Sequence, residues 1–449
     1  MTPPLRFLLA VLVPIGLGAQ APLSLGEALR RAESSAYVNR VAEAKVRAAD
    51  ARAASARQGF LPAVRAEAGA IRTNDPLAGF GFLLRQRAVT PQAFDPAGLN
   101  NPAPRTDMNA ALVAEVPLVN LDAWAGKRAA DRMADAEAFS RDWSTTGVQL
   151  DVMRSYFGAV LAAEKVRVLA AAEAAGLAHK RRAETALKNG LVTRSDVLLA
   201  EVRVGELTTQ RIAATADAEI ARRMLALVLG TPSDTAFALP TTIPVAGADA
   251  ALGESVGTRA DVAMVAAQAE AAAANADRRT RALLPRINGF GRYEWHDRSA
   301  LFSGKPMWTV GVMASWSPFS GGAELAARQE ALANADAARA GREATEAMAA
   351  LELASAESAV RVATEALTIA QRGAVQAAEA HRIVERKYEG GLATVAELLE
   401  AQATELGAQL AEAKARYDLI VARGTLARVR ANDLATLAAA LDAATAIRE

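Results

Sequence analysis

The chain has 449 residues, of which 52% are hydrophobic but only 5% are aromatic, so alanine supplies much of the apolar content. Lys and Arg number 51 against 50 Asp and Glu, a net charge of +1 that gives little support for nucleic-acid binding. Cysteine is absent, which excludes disulfides and a lipid-carrying N-terminal cysteine. Alanine-rich sequence with scattered Arg, Glu and Leu instead favours long, closely packed helices.

The first residues have the features of a secretory signal peptide. One Arg precedes an apolar run over residues 7–17, and the small residues Ala19 and Ala21 mark a cleavage pattern. The run is too short to cross a bilayer. We therefore expect residues 1–21 to be removed on export, with the cut within a residue or two of that point because Pro22 would otherwise follow it.

Helical periodicity then dominates and is interrupted at four short stretches. Ser24 and Glu27 have capping-box spacing at the start of a helix predicted over residues 24–58. The interruptions carry many of the aromatic residues and alternate partly with period two, which predicts four strands in two hairpins, at 59–72, 108–119, 284–296 and 307–319. The first hairpin loop is long and rich in Gly, Pro and Asn, whereas the second is short.

Two turns between long helical segments share one sequence pattern. GLVTRSD at 190–196 and GLATVAE at 391–397 both read Gly-Leu-x-Thr-x-x-acid. The second and fourth strands close on Pro117 and Pro318, which precede the turn glycines by 190 − 117 = 73 and 391 − 318 = 73 residues. Equal helical spans, each on the order of 100 Å, indicate two segments that must end at the same level.

These features predict a mainly α protein with an internal two-fold repeat and four strands per chain. No apolar run of 18 residues follows the N-terminus, so a membrane location would require a closed β-barrel. Four strands leave two edges, and three copies would close a 12-stranded barrel with a helical barrel beneath it. The predicted segments are a signal peptide (1–21), a first repeat (22–230, with its hairpin at 59–119 and long helices at 121–230), a linker or equatorial segment (231–257), a second repeat (258–430, with its hairpin at 284–319 and long helices at 321–430) and a C-terminal tail (431–449).

In the order and spacing of these motifs, the chain resembles the TolC-like outer-membrane efflux proteins from about Leu23 to Arg430. Besides the two turns, the resemblance rests on VPLVN at 116–120, SPFSGG at 317–322 and the FLP and LLP strand starts at 60–62 and 283–285. It implies a homotrimer with a barrel in outer-membrane lipid and an α-barrel through the periplasm. Such a trimer is the exit duct of a tripartite efflux or type I secretion system. Its partners are a periplasmic adaptor (membrane fusion) protein and an inner-membrane pump, and it has no catalytic activity.

The resemblance places the two turns at the periplasmic end of the tunnel. Glu397 and Glu400 would there form a cation-favouring ring of six carboxylates whose repulsion raises some of their pKa values; the alternative is an ordinary solvated helix face. Asp196 and Tyr388 match gate-linking positions, which predicts a hydrogen bond between them, although heptad packing would also explain Tyr388. The family's basic partner is replaced by Ala393.

Two further groups of residues are expected to face partners. The turn tips would contact the adaptor, with the leucines either exposed there or buried within the chain's own helix pair; these are Gly190, Leu191, Thr193, Gly391, Leu392 and Thr394. An aromatic girdle at the membrane interface, or else core packing, would account for Tyr293, Trp295, Trp308 and Trp316.

Enzyme and metal functions have no motif to support them. The three histidines, His179, His296 and His381, are scattered singly, and the chain lacks HExxH, P-loop, GxSxG and dinucleotide-binding patterns, so we predict no cofactor and no metal. The competing functions are a soluble periplasmic coiled-coil adaptor or scaffold and a lipid-surface amphipathic-helix protein. The sequence does not specify the exported substrate, because specificity in such systems lies largely in the pump.

Overall fold

The computed structural model describes residues 23–244, 253 and 257–446, and the expected signal peptide at 1–21 lies outside the described residues. The chain forms two compact units. One, the helical unit, takes Met1–Arg40, Ser144–Gly257 and Ala350–Glu449; the other, the sheet unit, takes Val41–Trp143 and Thr258–Ala349. Each unit therefore draws on both sequence repeats.

Long helices make up most of the described chain. Those that follow the two hairpins have 68 and 67 residues, and those that follow the two repeated turns have 35 each, so the equal spans predicted from the sequence are confirmed. Within the described residues, no helix combines the length and the apolar content needed to cross a bilayer. In chain order the helices are α1 (Leu25–Ser35), α2 (Tyr37–Ser55), α3 (Pro76–Arg85), α4 (Pro96–Asn100), α5 (Leu121–Lys188), α6 (Arg194–Val228), α7 (Ala260–Arg281), α8 (Ala323–Glu389), α9 (Val395–Val429) and α10 (Leu434–Ala446).

The strands of the described chain form one antiparallel sheet in the order β1-β2-β3-β4. They are β1 (Ala63–Thr73), β2 (Arg105–Val119), β3 (Arg286–Asp297) and β4 (Met307–Ser315), which confirms the four predicted strands and both hairpins. The pairing of β2 with β3 shifts register between Pro117 and Val119, next to a residue that cannot donate to the ladder. Strands β1 and β4 are the two edges.

The first hairpin loop, which the sequence indicated only as long and rich in Gly, Pro and Asn, contains the helices α3 and α4. Each helix starts at an Asp-Pro pair. The Asp75 carboxylate accepts the Ala78 N–H at 2.6 Å, and the Asp95 carboxylate accepts the Gly98 N–H at 3.0 Å. An Asp cap followed by proline in the first turn is a helix-start signal, so the two Asp-Pro pairs in this loop carried the information.

The core of the helical unit is built where α5 packs against α1 and α10, the first and last described helices. Val152, Met153, Tyr156 and Phe157 are all buried, as expected of a helix with neighbours on two sides. The segment 431–449, predicted only as a tail, contains α10. Its Asp442 carboxylate accepts the backbone N–H groups of Leu25 and Gly26, both at 2.9 Å, and so caps α1. This partner lies more than 400 residues away in sequence, which explains why local pattern did not reveal it.

Candidate functional site

The first repeated turn ends α5 with a left-handed glycine. Gly190 has φ +76°, a conformation that residues with a Cβ resist. The Gly190 N–H donates to the Leu187 carbonyl and the Leu191 N–H donates to the Ala186 carbonyl, both at 2.9 Å. These two bonds form a Schellman motif, which satisfies carbonyls that the end of a helix leaves unpaired.

The second repeated turn has the same geometry at the end of α8. Gly391 has φ +71°; its N–H donates to the Tyr388 carbonyl at 3.0 Å, and the Leu392 N–H donates to the Lys387 carbonyl at 2.8 Å. The Gly-Leu pairs found in the sequence are therefore helix stops of one type, with the leucine in each case following the left-handed residue.

The Thr and acid of each motif start the next helix through a capping box. Thr193 is the N-cap of α6, and the Asp196 carboxylate accepts its N–H at 2.8 Å and its hydroxyl at 2.7 Å. Thr394 caps α9 in the same way, with its N–H 2.7 Å from the Glu397 carboxylate. The repeated motif is thus a helix stop joined to a helix start.

Capping sets the electrostatics of both acids within one chain. Hydrogen bonds from the hydroxyl and N–H of Thr193 lower the pKa of Asp196. Those from the N–H and hydroxyl of Thr394 lower the pKa of Glu397. Repulsion within a ring of carboxylates would raise these pKa values; in the single chain the capping bonds act in the opposite direction.

The turn tips and the acids beside them are exposed. Leu191 is 76% exposed and Leu392 is 82% exposed, so the alternative that they are buried within their own helix pairs is wrong. Glu397 and Glu400 are also exposed, whereas Leu398 between them is buried. The second turn therefore presents two carboxylates to solvent from the first turns of α9; their role in a pore constriction stays a prediction.

Asp196 and Tyr388 lie near each other, but no hydrogen bond joins them within the described chain. One carboxylate oxygen of Asp196 accepts the N–H and the hydroxyl of Thr193. Their proximity still has an effect: burial raises the pKa of Tyr388, and the negative charge of Asp196 raises it further. Their action as gate links stays a prediction.

Arg182, which the sequence analysis did not single out, links the first helix pair (α5 and α6) to the second (α8 and α9) near the turns. Arg182 of α5 lies 3.0 Å from Glu385 and 3.3 Å from Glu389, both on α8. The chain thus has a cationic link at this level although Ala393 occupies the family's basic position. A signal was present in the sequence. Glu385 and Glu389 are spaced four apart and therefore share one face of α8, and Arg182 lies in the last part of α5, before the other turn.

Two of the three histidines, treated as isolated in the sequence, come together in the helical unit. The rings of His179 on α5 and His381 on α8 have centroids 6.1 Å apart. They precede the turn glycines by 190 − 179 = 11 and 391 − 381 = 10 residues, so their matching places in the two repeats could have paired them. No group of three or more metal-ligating side chains occurs in the described part of the chain.

In the sheet unit, alternate residues place apolar side chains on one face of the sheet. The register pairs Trp308 with Tyr293 and Tyr293 with Leu112, so these three side chains lie side by side across β4, β3 and β2. The large members of this apolar face are exposed rather than covered by other parts of the chain; they are Val64, Leu112, Tyr293, Trp308, Val310 and Val312.

The opposite face of the sheet carries charged and amide side chains. Glu115 of β2 lies 3.8 Å from Arg65 of β1 and accepts a hydrogen bond from the Asn288 amide of β3 at 2.9 Å. Arg292 of β3 reaches Glu67 of β1 at 3.3 Å. One apolar and one charged face is the alternation of a strand that separates lipid from an aqueous lumen.

The predicted girdle residues lie at two levels of this sheet. The rings of Tyr293 and Trp295 are 4.9 Å apart, and Trp308 faces Tyr293 across the ladder. Trp316 follows β4, where its indole N–H donates to the Leu283 carbonyl at 3.1 Å. Trp308 is 71% exposed and Trp316 is 61% exposed, so core packing is wrong for both.

An aromatic pair beside the strand ends was missed by sequence reasoning. Phe60 precedes β1 and Trp124 lies in the first turn of α5, with ring centroids 4.6 Å apart. The available signal was that Phe60 opens the FLP strand start and that Trp124 follows the strand-closing VPLVN at 116–120.

Comparisons with known proteins show what this chain is similar to. Residues 251–432 match the outer membrane efflux protein family. Among solved structures, the outer membrane protein VceC of Vibrio cholerae is 18% identical with a TM-score of 0.76, covering 91% of this chain and 96% of its own. The CmeC outer membrane channel of Campylobacter jejuni is 17% identical (TM-score 0.74; 90% and 85% covered), and the MtrE outer membrane channel of Neisseria gonorrhoeae is 18% identical (TM-score 0.74; 92% and 90% covered). No curated protein sequence matches significantly.

At these identities the solved structures show the fold, and they confirm the fold class predicted from the sequence. The match over residues 251–432 agrees with the predicted family resemblance over that part of the chain.

Proposed function

We propose that this chain is the exit duct of a tripartite export system. Its fold, which is similar to that of outer-membrane channels, and the match of residues 251–432 to the outer membrane efflux protein family support the proposal. In this proposal three copies close one 12-stranded barrel in the outer membrane. A periplasmic adaptor contacts the turn tips, and an inner-membrane pump supplies the substrate. Whether the exported substrate is a drug, a metal or a protein is set largely by the pump.

The observation that carries the proposal is the sheet, with one exposed apolar face, one charged face and two free edges. An edge strand in hydrocarbon would leave a row of backbone N–H and C=O groups unpaired, each at a cost of several kcal/mol. Only closure onto other sheets removes that cost. The four strands of each described chain then require cyclic association, with β4 of one copy pairing with β1 of the next.

The aromatic levels support the membrane orientation of this sheet. Trp308 and Trp316 are separated by 316 − 308 = 8 residues along β4 and its continuation, about 26 Å in extended chain. The apolar band of outer-membrane barrels is about 25 Å tall and is flanked by aromatic residues at both interfaces. Tyr293, Trp295 and Trp308 would mark one interface, and Trp316 with Trp124 the other.

The exposed tips support contact with an adaptor. Leu191 and Leu392 are large apolar side chains held outward on two matching turns, and each is fixed by a Schellman motif rather than by burial. An apolar side chain held in this way gains from a partner that covers it. The carboxylates of Glu397 and Glu400, on the same turn as Leu392, would line the constriction.

Cysteine cross-linking between edge strands tests the closure directly, because the chain has no cysteine of its own. We would combine Glu67→Cys on β1 with either Thr309→Cys or Met313→Cys on β4, all on the charged face. Oxidation should give dimeric and trimeric bands on denaturing gels. The matched control combines Val113→Cys of the interior strand β2 with Thr309→Cys and should stay monomeric.

Fractionation tests the location and assembly of the unmodified protein. We expect detergent-extracted trimers in the outer membrane whose gel mobility changes on heating. A periplasmic monomer, with no edge-specific cross-links in either cysteine combination, would contradict the proposed function and support the soluble scaffold.

A further inference from the structure

Two histidines from different helix pairs meet inside the helical unit, at a site for which the proposed function has no role. His179 of α5 is 5% exposed, and its ring stands at 77° to that of His381 of α8. Neither the Nδ1 of His179 nor the Nε2 of His381 has a hydrogen-bond partner in the described part of the chain, although both atoms are buried. Buried polar atoms are normally satisfied, so two unsatisfied nitrogens in one cluster call for an explanation.

The charged groups around the pair each already have a partner. On α9, the Glu405 carboxylate lies 2.5 Å from Nδ1 of His381. On α8, Glu385 faces His179 but also binds Arg182 of α5 at 3.0 Å.

The remaining charges nearby belong to the first helix pair. Lys180 of α5 and Glu201 of α6 form a pair of their own at 2.9 Å. The ring of His381 thus has a carboxylate within hydrogen-bond distance, whereas the carboxylate that faces His179 is shared with Arg182.

The electrostatics of His179 agree with this geometry. Burial lowers the pKa of His179; Glu385 opposes that shift, whereas His381 and Arg182 add to it. A histidine with a lowered pKa binds protons more weakly in the packed state than in the released state. The packing it stabilises is therefore complete above the ordinary value of 6.5 and is lost as the pH falls through the lowered value.

We propose that His179 and His381 form a proton-sensitive latch between the helix pairs α5/α6 and α8/α9, closed while His179 is neutral and released when both rings carry a proton. A proton on each ring would place two cations about 6 Å apart in the packed state, where burial leaves their repulsion only partly screened, and this repulsion would drive release. The Arg182 link to Glu385 lies within one turn of both rings, so the two contacts would loosen together. The consequence for the duct, wider opening at acid pH, rests on the proposed function; the latch itself does not.

Histidine hydrogen–deuterium exchange, read by mass spectrometry on the detergent-extracted protein, tests the latch without any channel assay. The exchange midpoint of His179 should lie below its ordinary value of 6.5. In His381→Gln it should rise by about half a pH unit or more, because the neighbouring charge is gone. A wild-type His179 midpoint at or above 6.5, or one that is unchanged in His381→Gln, would overturn the proposal.

Conductance in planar bilayers tests the consequence for the duct. Wild-type protein should conduct several-fold more at about pH 5.5 than at about pH 7.5. The double variant His179→Gln with His381→Gln should lose that dependence, while the matched control Glu201→Gln, which breaks the neighbouring Lys180 pair, should keep it. A double variant that keeps the wild-type pH response overturns the latch. Wild-type protein that forms no channel contradicts the proposed function instead, and the exchange midpoints then decide the latch.

Discussion

The two repeated turns have the same backbone and different surroundings. Gly190 and Gly391 end their helices with equivalent pairs of hydrogen bonds, and Thr193 and Thr394 start the next helices with equivalent capping boxes. The first turn has one acid, which lies near Tyr388, whereas the second adds the exposed Glu400 to its capping acid. The repeated motif thus specifies a chain reversal, and any difference in function comes from residues that the motif does not include.

The largest contrast between the turns should appear in ion selectivity. Replacing Glu397 and Glu400 together by glutamine should reduce the ratio of cation to anion permeability several-fold in planar-bilayer reversal potentials, because a carboxylate ring at a constriction attracts cations. Glutamine at the capping position keeps the capping box. The matched change at the first turn, Asp196→Asn, should have little effect. An unchanged permeability ratio in the Glu397 and Glu400 variant would show that the second turn does not line the pore, and a loss of selectivity in Asp196→Asn as well would show that both turns do.

Substitution of either left-handed glycine should lower the stability of the protein by a similar amount. Gly190→Val and Gly391→Val force a side chain into φ near +70°, at a cost of about 1–2 kcal/mol each. Thermal unfolding of the extracted protein should show similar decreases in midpoint. As controls, Gly205→Ala and Gly407→Ala lie within helices and have open space at the new Cβ, so they should not lower the midpoint. A lower midpoint from only one valine variant would break the symmetry of the turns.

Loss of the caps should have a smaller effect that is again equal at both turns. Thr193→Ala and Thr394→Ala each remove a capping hydroxyl, which costs about 1 kcal/mol, while serine at either position should restore the cap. Amide hydrogen exchange in the first turns of α6 and α9 measures this locally. Unchanged protection in both alanine variants would mean that packing, not capping, holds these helix starts.

The smallest effect should come from acid pH. The lowered pKa values of Asp196 and Glu397 mean that the capping contribution is complete above their ordinary values of 3.8 and 4.5 and is lost as the pH falls through the lowered ones. Exchange protection at both helix starts should therefore fall only below about pH 4. Asp196→Asn should abolish this pH dependence at α6 and leave it at α9. A loss of protection that begins near neutral pH would point to another group.

The sequence predicted the helices and strands correctly where the signal that forms them lies within a few residues. Strand alternation, the glycines that end helices and the Thr-acid boxes all act within a few residues, and all four strands lie where the pattern predicted them. The Asp-Pro starts of α3 and α4 are also local signals in the sequence, but the prediction did not use them. For the candidate site, local reasoning located both turns and the exposed leucines.

Local reasoning did not find contacts between helices that are far apart in sequence. The Arg182 link and the histidine pair were missed because their partners lie about 200 residues away. For Asp196 the structure adds a local partner, Thr193, three residues away in sequence, while the gate link to Tyr388 stays a prediction.

By itself, the sequence determined the class of fold, the equal helix lengths and the turn chemistry, because each follows from periodicity, spacing or a short capping motif. Only the tertiary structure decided which charges meet, that His179 and His381 share one buried site, and that Asp442 of α10 caps α1. Those contacts depend on how helices far apart in sequence pack and rotate against one another, which a hydrophobic pattern constrains only to within a face of each helix.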